Sequence, residues 1–376
     1  MITPHGGKLV QRVFDAKERE KIIEQIEEFP KLEISEDTAL DVENIAEGVF
    51  SPLKGFLCRE DFLYVLDEMR LSSDLPWTIP ITLDVEKGFD IDEGGDLILF
   101  HKKPLALMHI EEKFGFSKKE LAQKVFKTKK SSHPAILKIG KMKEMLLGGK
   151  LTLIEKLENP FSSHTLKPLE TRVLFKEKGW RDVAGFQTRN IPHMGHEYMQ
   201  KTALNFVDGI FINPIIGGKK RGDFRDEVIL EAYDALINHY YLKESAVLSV
   251  LRTEMRYAGP REAVFHSIIR KNFGCTHFMV GRDHAGVSNF YPSYASQEIF
   301  EEFPDLGIVP LFFKSFFYCS RCEGVTNEKI CPHEKRYRTE FSGTKIREML
   351  TNRKRPSRRF LRREVLKILE RGNLFI

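Results

Sequence analysis

The chain has 376 residues, of which 41% are hydrophobic and 30% are charged, and its formal net charge is +5. This composition excludes a disordered or fibrous chain and supplies enough apolar residues for two or three domain cores. The weak positive charge suits anionic substrates, but it does not by itself indicate nucleic-acid binding. The first residues lack a signal-peptide core, and no run approaches the ~18 apolar residues of a membrane span, so we expect a cytoplasmic protein.

The first 165 residues alternate between helical and strand patterns and contain no nucleotide-binding motif. Apolar positions recur at helical spacing in three segments, residues 14–29, 37–47 and 59–69. Alternation with period two follows at 78–85, 96–100 and 105–110, with turns of Gly-Gly and Lys-Lys-Pro between. This alternation predicts antiparallel strands that close a small barrel. Residues 117–130 form a basic helix, which is typical of a solvated face.

After a turn-rich linker at 159–164 the pattern becomes regular. Strands are predicted at 183–186, 209–214, 246–251, 277–280 and 308–312. Helices are predicted at 197–206, 226–240, 261–272 and 294–303. This alternation predicts a parallel sheet covered on both faces, with ligands bound beyond the carboxyl ends of its strands.

The turn after the first of these strands is crowded with groups that can bind an anion. It contains Gln187, Arg189, Asn190, His193 and His196. The following helix begins here, and a helix N-terminus offers free N–H groups and a partial positive charge to a phosphate. The two histidines could instead be a metal pair, but such pairs on helices commonly stand four residues apart, and here the spacing is three. The turn therefore predicts a nucleotide triphosphate site.

Three later turns at the same predicted sheet edge are rich in glycine and basic residues. They are residues 213–223, 252–261 and 281–286. Paired glycines permit tight turns, and lysine supplies a point charge for phosphate. One such loop is commonly only solvated, whereas several on one edge of a sheet indicate a ligand site.

The C-terminal part contains residues with metal-ligand spacing. Three cysteines and a histidine, Cys319, Cys322, Cys331 and His333, match a Cys₃His zinc site. With every ligand supplied by protein the metal would be structural; free thiols are the alternative. The other cysteines, Cys58 and Cys275, are predicted to be buried apolar residues.

A further helix is predicted to open at residues 342–347, where Ser342 or Thr344 is a suitable N-cap. The basic tail at 353–363 is predicted to be solvated or to meet a partner subunit.

The sequence His193-x-Gly195-His196 directly after a strand resembles the signature of the HIGH-type nucleotidyltransferases. The preceding residues 187–190, Gln-Thr-Arg-Asn, narrow the resemblance to the ATP sulfurylase (sulfate adenylyltransferase) family. The N-P-x-x-G…K-x-G-D loop, the M-R-x-A-G-P-R-E segment and the G-R-D-H-A-G turn resemble motifs of that family in the same order. Residues 48–57 resemble its N-terminal PUA-like domain, and residues 342–347 resemble an element that HIGH-type enzymes place over the triphosphate. Two departures are Ile191, where relatives have proline, and Met194, where they have arginine.

The resemblance covers residues from about 40 to the end and implies the fold class α/β. It implies a PUA-like β-barrel domain at 1–165, a Rossmann-like HIGH-type nucleotidyltransferase domain at 166–314 and a small zinc-containing α/β domain at 315–376. No P-loop kinase motif follows, so a fused adenylylsulfate kinase is not expected. Some prokaryotic members resemble this chain in having a comparable zinc-binding third domain.

The activity implied is ATP plus sulfate giving adenylyl sulfate and pyrophosphate, by in-line attack of sulfate on the α-phosphorus. The reaction is reversible, so the same site could activate sulfate or form ATP during sulfur oxidation. The catalytic residues implied are Thr188, Arg189, Asn190, His193 and His196. Sulfate would be held by Gln187, Arg189 and Ala285. ATP would contact Gln187, Thr188, Arg189, Asn190, His193, His196, Gly281, Arg282, Asp283 and His284. Mg²⁺ should accompany ATP, and relatives are often homodimers or higher homo-oligomers.

Two other functions remain open at this point. The first is another adenylyltransferase of the same superfamily, acting on a phosphorylated acceptor. The second is a non-enzyme that binds RNA through the basic helix and the arginine-rich tail. The tail and the helix lack the series of interleaved aromatic residues that forms a base-stacking platform, so nucleic acid is not the expected partner. A membrane is not expected either, because the sequence has no apolar run of membrane-spanning length.

Overall fold

The computed structural model describes residues 2–218 and 222–376. Lys219, Lys220 and Arg221, which the sequence placed among the phosphate-binding groups of one turn, lie outside the described residues. No helix among the described residues is long and apolar enough to cross a bilayer.

The helices are α1 Ala16–Glu24, α2 Glu36–Ala46, α3 Arg59–Asp67, α4 Lys118–Phe126, α5 Pro134–Lys141, α6 Pro168–Glu177, α7 Met194–Ala203, α8 Asp226–Tyr240, α9 Pro260–Phe273, α10 Ala295–Glu298, α11 Gly343–Thr351 and α12 Arg363–Leu369. The strands are β1 Lys31–Glu33, β2 Gly55–Phe56, β3 Leu83–Val85, β4 Asp96–His101, β5 Lys103–Gly115, β6 Met145–Leu153, β7 Val183–Thr188, β8 Gly209–Ile216, β9 Ala246–Leu248, β10 Leu251–Arg252, β11 His277–Val280, β12 Val309–Phe312, β13 Phe316–Cys319, β14 Gly324–Asn327 and β15 Arg338–Glu340.

The chain forms two compact units, and each of them is built from three separate segments of the sequence. The first unit comprises Met1–Leu174, Met255–Gly274 and Asp283–Ile308, and the second comprises Phe175–Glu254, Cys275–Arg282 and Val309–Ile376. Helix α9 and residues 283–308 thus belong to the same unit as the N-terminal part of the chain. The division at residues 165 and 314 stays a prediction.

The first unit contains a sheet with the strand order β1-β4-β5-β6-β2, and β3 also pairs with β6. Its pairs are antiparallel as predicted, except that β1 runs parallel to β4. The strand predicted at 78–85 is confirmed only for its last three residues. Pro80 has no N–H to donate to a ladder, and the Thr78 hydroxyl donates instead to the carbonyl of Arg261.

Two arginines of the M-R-x-A-G-P-R-E segment are buried within this unit. Arg256 donates twice to the carboxylate of Asp41 on α2, at 2.8 Å each, and its guanidinium lies over the rings of Phe50 and Phe265. Arg261 donates to the backbone carbonyls of Val65 and Leu66. The sequence placed both arginines in a ligand-facing turn, and the structure places them in contacts that hold α9 to the rest of the unit.

The second unit contains a parallel sheet in the order β10-β8-β7-β11-β12, with β9 also beside β8. The chain runs from β7 outward to one side and returns to β11 on the other side of β7. The strand order therefore reverses between β7 and β11, and open α/β sheets bind ligands beyond the carboxyl ends of the strands at such a point.

The strands and helices of the second unit bury their apolar residues in a common core. All of β8 is buried, and α8 and α12 pack against each other over the same apolar cluster. The predictions for α8 and β11 match the structure at both ends. Strand β8 continues to Ile216, two residues past its predicted end at 214, and the buried Asn213 amide within it donates to the carbonyl of Ser249.

A small antiparallel sheet, β14-β13-β15, follows in the second unit and carries the cysteine-rich segment. The tail predicted to be solvated is partly buried here. Phe360 and Leu361 belong to the core of the unit, and Arg362 pairs with Glu197.

Candidate active site and metal centre

The turn between β7 and α7 is organised by His193. Helix α7 begins at Met194, earlier than predicted, because the His193 side chain caps it: Nδ1 accepts the backbone N–H of His196 at 3.2 Å. An acceptor at Nδ1 requires a neutral ring to carry its proton on Nε2. His193 therefore offers Nε2–H as a hydrogen-bond donor beside a helix N-terminus.

The two histidine rings of the motif are stacked. Their centroids lie 3.7 Å apart with an interplanar angle of 16°, and the edge of His196 also meets Phe186. Burial, followed by the nearby His196, lowers the pKa of His193 well below its usual value. Burial also lowers the pKa of His196 to about 4. Both imidazoles are therefore neutral at pH 7, and His193 can donate a hydrogen bond from Nε2 to an oxyanion.

Gly195 is required by the close packing around this pair. A Cβ at this position would lie 3.1 Å from His193 Cε1 and 3.1 Å from Phe341 Cδ2. Phe341 also stacks on His193 at 6.0 Å, so an alanine at position 195 would push on both rings. The ring of Phe341 thus forms one wall beside the histidine motif.

The polar residues before the histidines are held in a tight turn. The Thr188 hydroxyl accepts the N–H of Asn190 at 3.2 Å and donates to its carbonyl at 3.3 Å. Thr188 is buried, whereas Gln187, Arg189 and Asn190 remain partly exposed at the carboxyl end of β7. The turn therefore presents three side chains that can hydrogen-bond an anion, two of them neutral amides and one a guanidinium.

The segment that opens α11 lies against this turn. Ser342 caps the helix by accepting the N–H of Lys345, as predicted, and a Cβ on Gly343 would lie 3.2 Å from the Asn190 amide. Arg347 binds the buried carboxylate of Asp223 instead of facing outward. The glycine allows the N-terminus of α11 to approach Asn190, and Arg347 anchors the helix to the segment after β8.

The G-R-D-H-A-G turn follows β11. Gly281 lies beside Met199 of α7, and Arg282 is exposed; both belong to the second unit. Asp283, His284 and Ala285 belong to the first unit. Asp283 and Ala285 have φ of 53° and 57°, conformations that L residues rarely adopt and that cluster at functional sites.

The low histidine pKa values predict an acid-sensitive second unit. Between pH 6.5 and about 4, His193 and His196 take up protons in the unfolded chain but stay neutral in the folded protein. The free energy of unfolding should therefore fall as the pH falls through this window. Above pH 6.5 the histidines are neutral in both states and impose no penalty. Denaturant unfolding at pH 7 and pH 5 measures the difference, to which His5, with a pKa lowered to about 4 by burial, contributes with the same sign.

His196→Asn should reduce this pH dependence, because it removes one of the side chains whose pKa is lowered in the folded state. His239→Gln, which changes an exposed histidine of α8, should leave it as it is. An unchanged pH dependence in His196→Asn would contradict the assignment.

The structure brings the four predicted metal ligands together. The ligand atoms of Cys319, Cys322, Cys331 and His333 all lie within 4.8 Å of one another. His333 Nδ1 is 3.4 Å from Cys319 Sγ, 3.2 Å from Cys322 Sγ and 3.7 Å from Cys331 Sγ. A tetrahedral zinc ion with Zn–S of about 2.3 Å and Zn–N of about 2.0 Å needs donors about 3.5–3.8 Å apart. The donor set and its spacing therefore fit zinc.

The remaining two cysteines lie outside the cluster. Cys275 is fully buried, as predicted. Cys58 is only partly buried, and its thiol lies 3.7 Å from Glu111 Oε2, so it is not the apolar residue that the sequence indicated. Burial, with Glu111 and Glu112, raises the pKa of this thiol to about 12.

Sequence reasoning missed the residue that anchors α7. Glu197, directly after the histidine motif, is 1% exposed and accepts from Arg362 at 2.7 and 2.8 Å and from Lys201 at 2.6 Å. The backbone N–H of Met194 also donates to the carbonyl of Phe360. The sequence predicts that a glutamate in the first turn of a helix stabilises that helix, but it does not predict the arginine partner far along the chain.

Comparisons with known proteins agree with this geometry. The family model described as ATP-sulfurylase matches residues 162–372, and the model described as a PUA-like domain matches residues 2–156. A sulfate adenylyltransferase of Pyrococcus abyssi is 56% identical over 367 residues, covering 97% of each chain. One from Hyperthermus butylicus is 56% identical over 377 residues, covering 99% of this chain and 97% of that protein.

A solved structure described as a hexameric APS kinase from Thiobacillus denitrificans is also similar. Its TM-score is 0.80 at 21% identity, over 99% of this chain and 69% of that chain. At this level of identity the likeness establishes a shared fold. It supports the expected α/β architecture with a PUA-like N-terminal part.

Proposed function

The chain belongs to the ATP-sulfurylase family, and from this membership we propose that it transfers the adenylyl group of ATP to sulfate, releasing pyrophosphate. The observation that carries the proposal is the β7–α7 turn. The turn carries two neutral imidazoles, an arginine and two amides, and it lies where the strand order of the parallel sheet reverses. This is where an open α/β sheet binds a nucleotide.

The chemistry requires no general base, because sulfate is already a dianion at neutral pH. The barrier comes from bringing two anions together and from the charge that develops as sulfate adds to the α-phosphorus. Fixed donors and correct positioning lower such a barrier, as in other phosphoryl transfers. In-line attack then expels pyrophosphate, and the same arrangement serves the reverse reaction.

Each residue of the turn has a role in this scheme. Arg189 binds sulfate through the two parallel N–H groups of its guanidinium, assisted by Gln187 and the backbone N–H of Ala285. Asn190 and the Nε2–H of His193 donate to phosphate oxygens and stabilise the charge at the α-phosphorus, with His196 beside them. Thr188 holds the turn that orients these side chains. Gly281, Arg282, Asp283 and His284 contact the nucleotide.

Two metals accompany the protein in this proposal. Mg²⁺ enters with ATP, held mainly by phosphates and water. Zinc occupies the Cys₃His cluster as a structural ion, whose three reduced thiol ligands are consistent with a cytoplasmic location. We also propose a homo-oligomer, which light scattering of the purified chain would test.

Sulfate-dependent release of pyrophosphate from ATP and Mg²⁺ by the purified chain tests the proposal. We expect release with sulfate and also with molybdate, an oxyanion of similar shape whose adenylate hydrolyses. Release that depends on a phosphorylated acceptor, with none on sulfate, would assign the chain to another adenylyltransferase reaction.

A further inference from the structure

Three buried side chains of the first unit, Glu262, His266 and His284, contact one another in a row that ends in the G-R-D-H-A-G turn. Glu262 and His266 lie one helical turn apart on α9, with His266 Nε2 3.4 Å from Glu262 Oε1. The other ring nitrogen, His266 Nδ1, lies 3.1 Å from His284 Nε2. Glu262 and His266 are fully buried and His284 is 9% exposed, so water does not compete for these contacts.

The charge state of Glu262 decides where the protons lie in this row of three side chains. Burial favours a raised pKa for this carboxyl, but hydrogen bonds from His266 and from the backbone N–H groups of Arg256 and Ala258 outweigh burial and leave its pKa below the usual value. Burial lowers the pKa of His266, against the attraction of Glu262 and with the help of Arg270 and Arg256. Glu262 is therefore an ionised acceptor, and His266 is neutral.

Only one arrangement of protons satisfies these contacts. Because an ionised carboxylate cannot donate, His266 carries its proton on Nε2 and points it at Glu262. His266 Nδ1 is then an acceptor, so His284 must donate from Nε2. The carboxylate thus determines the tautomer of a histidine two hydrogen bonds away, as a carboxylate that accepts from a metal-bound histidine fixes the tautomer of that ring.

The turn that contains His284 needs such support. Asp283 and Ala285, on either side of it, have positive φ, and each left-handed residue costs about 1–2 kcal/mol. Backbone contacts fix the turn at three further points: Asp283 N–H donates to Ser293, Gly259 N–H donates to Ala285, and the Ser296 hydroxyl donates to the carbonyl of His284. The His284 ring adds a further restraint through its contact with His266.

We propose that Glu262 and His266 are positioning residues for the 283–285 turn, fixing the tautomer and orientation of the His284 ring and thereby the backbone that meets the substrates. The inference rests on the proposed function, since it assumes that this turn contacts nucleotide and sulfate. Neither residue touches substrate. Glu262 has a second, structural role, because it also accepts the backbone N–H groups of Arg256 and Ala258, in the segment just before α9.

Two substitutions at His266 separate positioning from stability. In His266→Asn the side-chain oxygen occupies the place of Nδ1, so it accepts from His284 but leaves Glu262 without its donor. In His266→Gln the amide nitrogen occupies the place of Nε2, so it donates to Glu262 but leaves His284 without its acceptor. Sulfate-dependent kcat/KM and the unfolding temperature are measured for both variants.

We expect the two measurements to rank the variants in opposite order. His266→Gln should be the more stable variant, yet its kcat/KM should be lower than that of His266→Asn by about tenfold, the effect of one lost hydrogen bond at a buried site. If kcat/KM instead follows the unfolding temperature, His266 has only a structural role and the proposal is wrong.

Imidazole ¹⁵N NMR of the wild-type protein gives a readout that does not depend on activity. The proposal requires His284 to be protonated on Nε2, and a His284 protonated on Nδ1 alone would overturn it. Absence of sulfate-dependent turnover in the wild type would instead overturn the proposed function, so the two failures are distinguishable.

Discussion

Arg189→Ala should abolish sulfate-dependent pyrophosphate release while the protein stays folded. Arginine meets an oxyanion with two charge-assisted hydrogen bonds of about 1.5–3 kcal/mol each, so kcat/KM for sulfate should fall by about 10²- to 10⁴-fold. Initial rates at varied sulfate and saturating ATP measure this loss. Arg189 lies after the end of β7 and is partly exposed, so we expect its removal to leave the sheet folded.

Two further variants define what the arginine supplies. Arg189→Lys keeps the charge but loses the planar fork, so it should recover part of the activity. Arg181→Ala removes an exposed arginine just before β7, at the opposite end of the strand, and should behave as the wild type. An Arg189→Ala enzyme with normal dependence on sulfate would remove the assignment of this residue.

Loss of the metal should destabilise the second unit as strongly as any single change in it. Structural zinc binds peptides with about 10–16 kcal/mol of apparent free energy, and losing ~5 kcal/mol of this would lower the unfolding temperature by roughly 10–20 °C. Cys322→Ser should therefore lower both the unfolding temperature and the zinc content, measured by calorimetry and by mass spectrometry of the metal. A strong chelator added to the wild type should have the same effect.

Cys58→Ser is the matched control, because Cys58 lies far along the chain from the cluster and its thiol donates to an exposed glutamate, Glu111. It should retain one zinc per chain and the wild-type unfolding temperature. If Cys322→Ser retains a full equivalent of zinc, the four residues are not its ligands.

Periodicity and motif spacing were sufficient for the elements that carry the site. The bounds of α8 and β11 follow directly from apolar periodicity, and the parallel pairing of the sheet follows from the alternation of strands and helices. Motif spacing also grouped the Cys₃His ligands, since they lie close in the sequence, at the end of one strand of a small sheet and in the connections that follow it. Local patterns carry such information because the interacting groups are near neighbours in the chain.

The sequence could not reveal how charged residues are paired across long separations. Arg256 was placed in a ligand turn because it is basic, yet it binds Asp41, 215 residues away. Arg362 was placed in a solvated tail, yet it binds Glu197, 165 residues away. A charge pattern gives the number of charged side chains, whereas burial decides which of them must be neutralised by a partner.

The pairing of Glu197 with Arg362 has a consequence for synthesis of the protein. The helix that bears the histidine motif emerges from the ribosome 165 residues before the guanidinium that its glutamate accepts from. At about 5–20 residues per second, that interval lasts roughly 10–30 s. During that time the nascent helix lacks its contacts with residues 360–369, so the turn after β7 can reach its final form only after those residues have been synthesised.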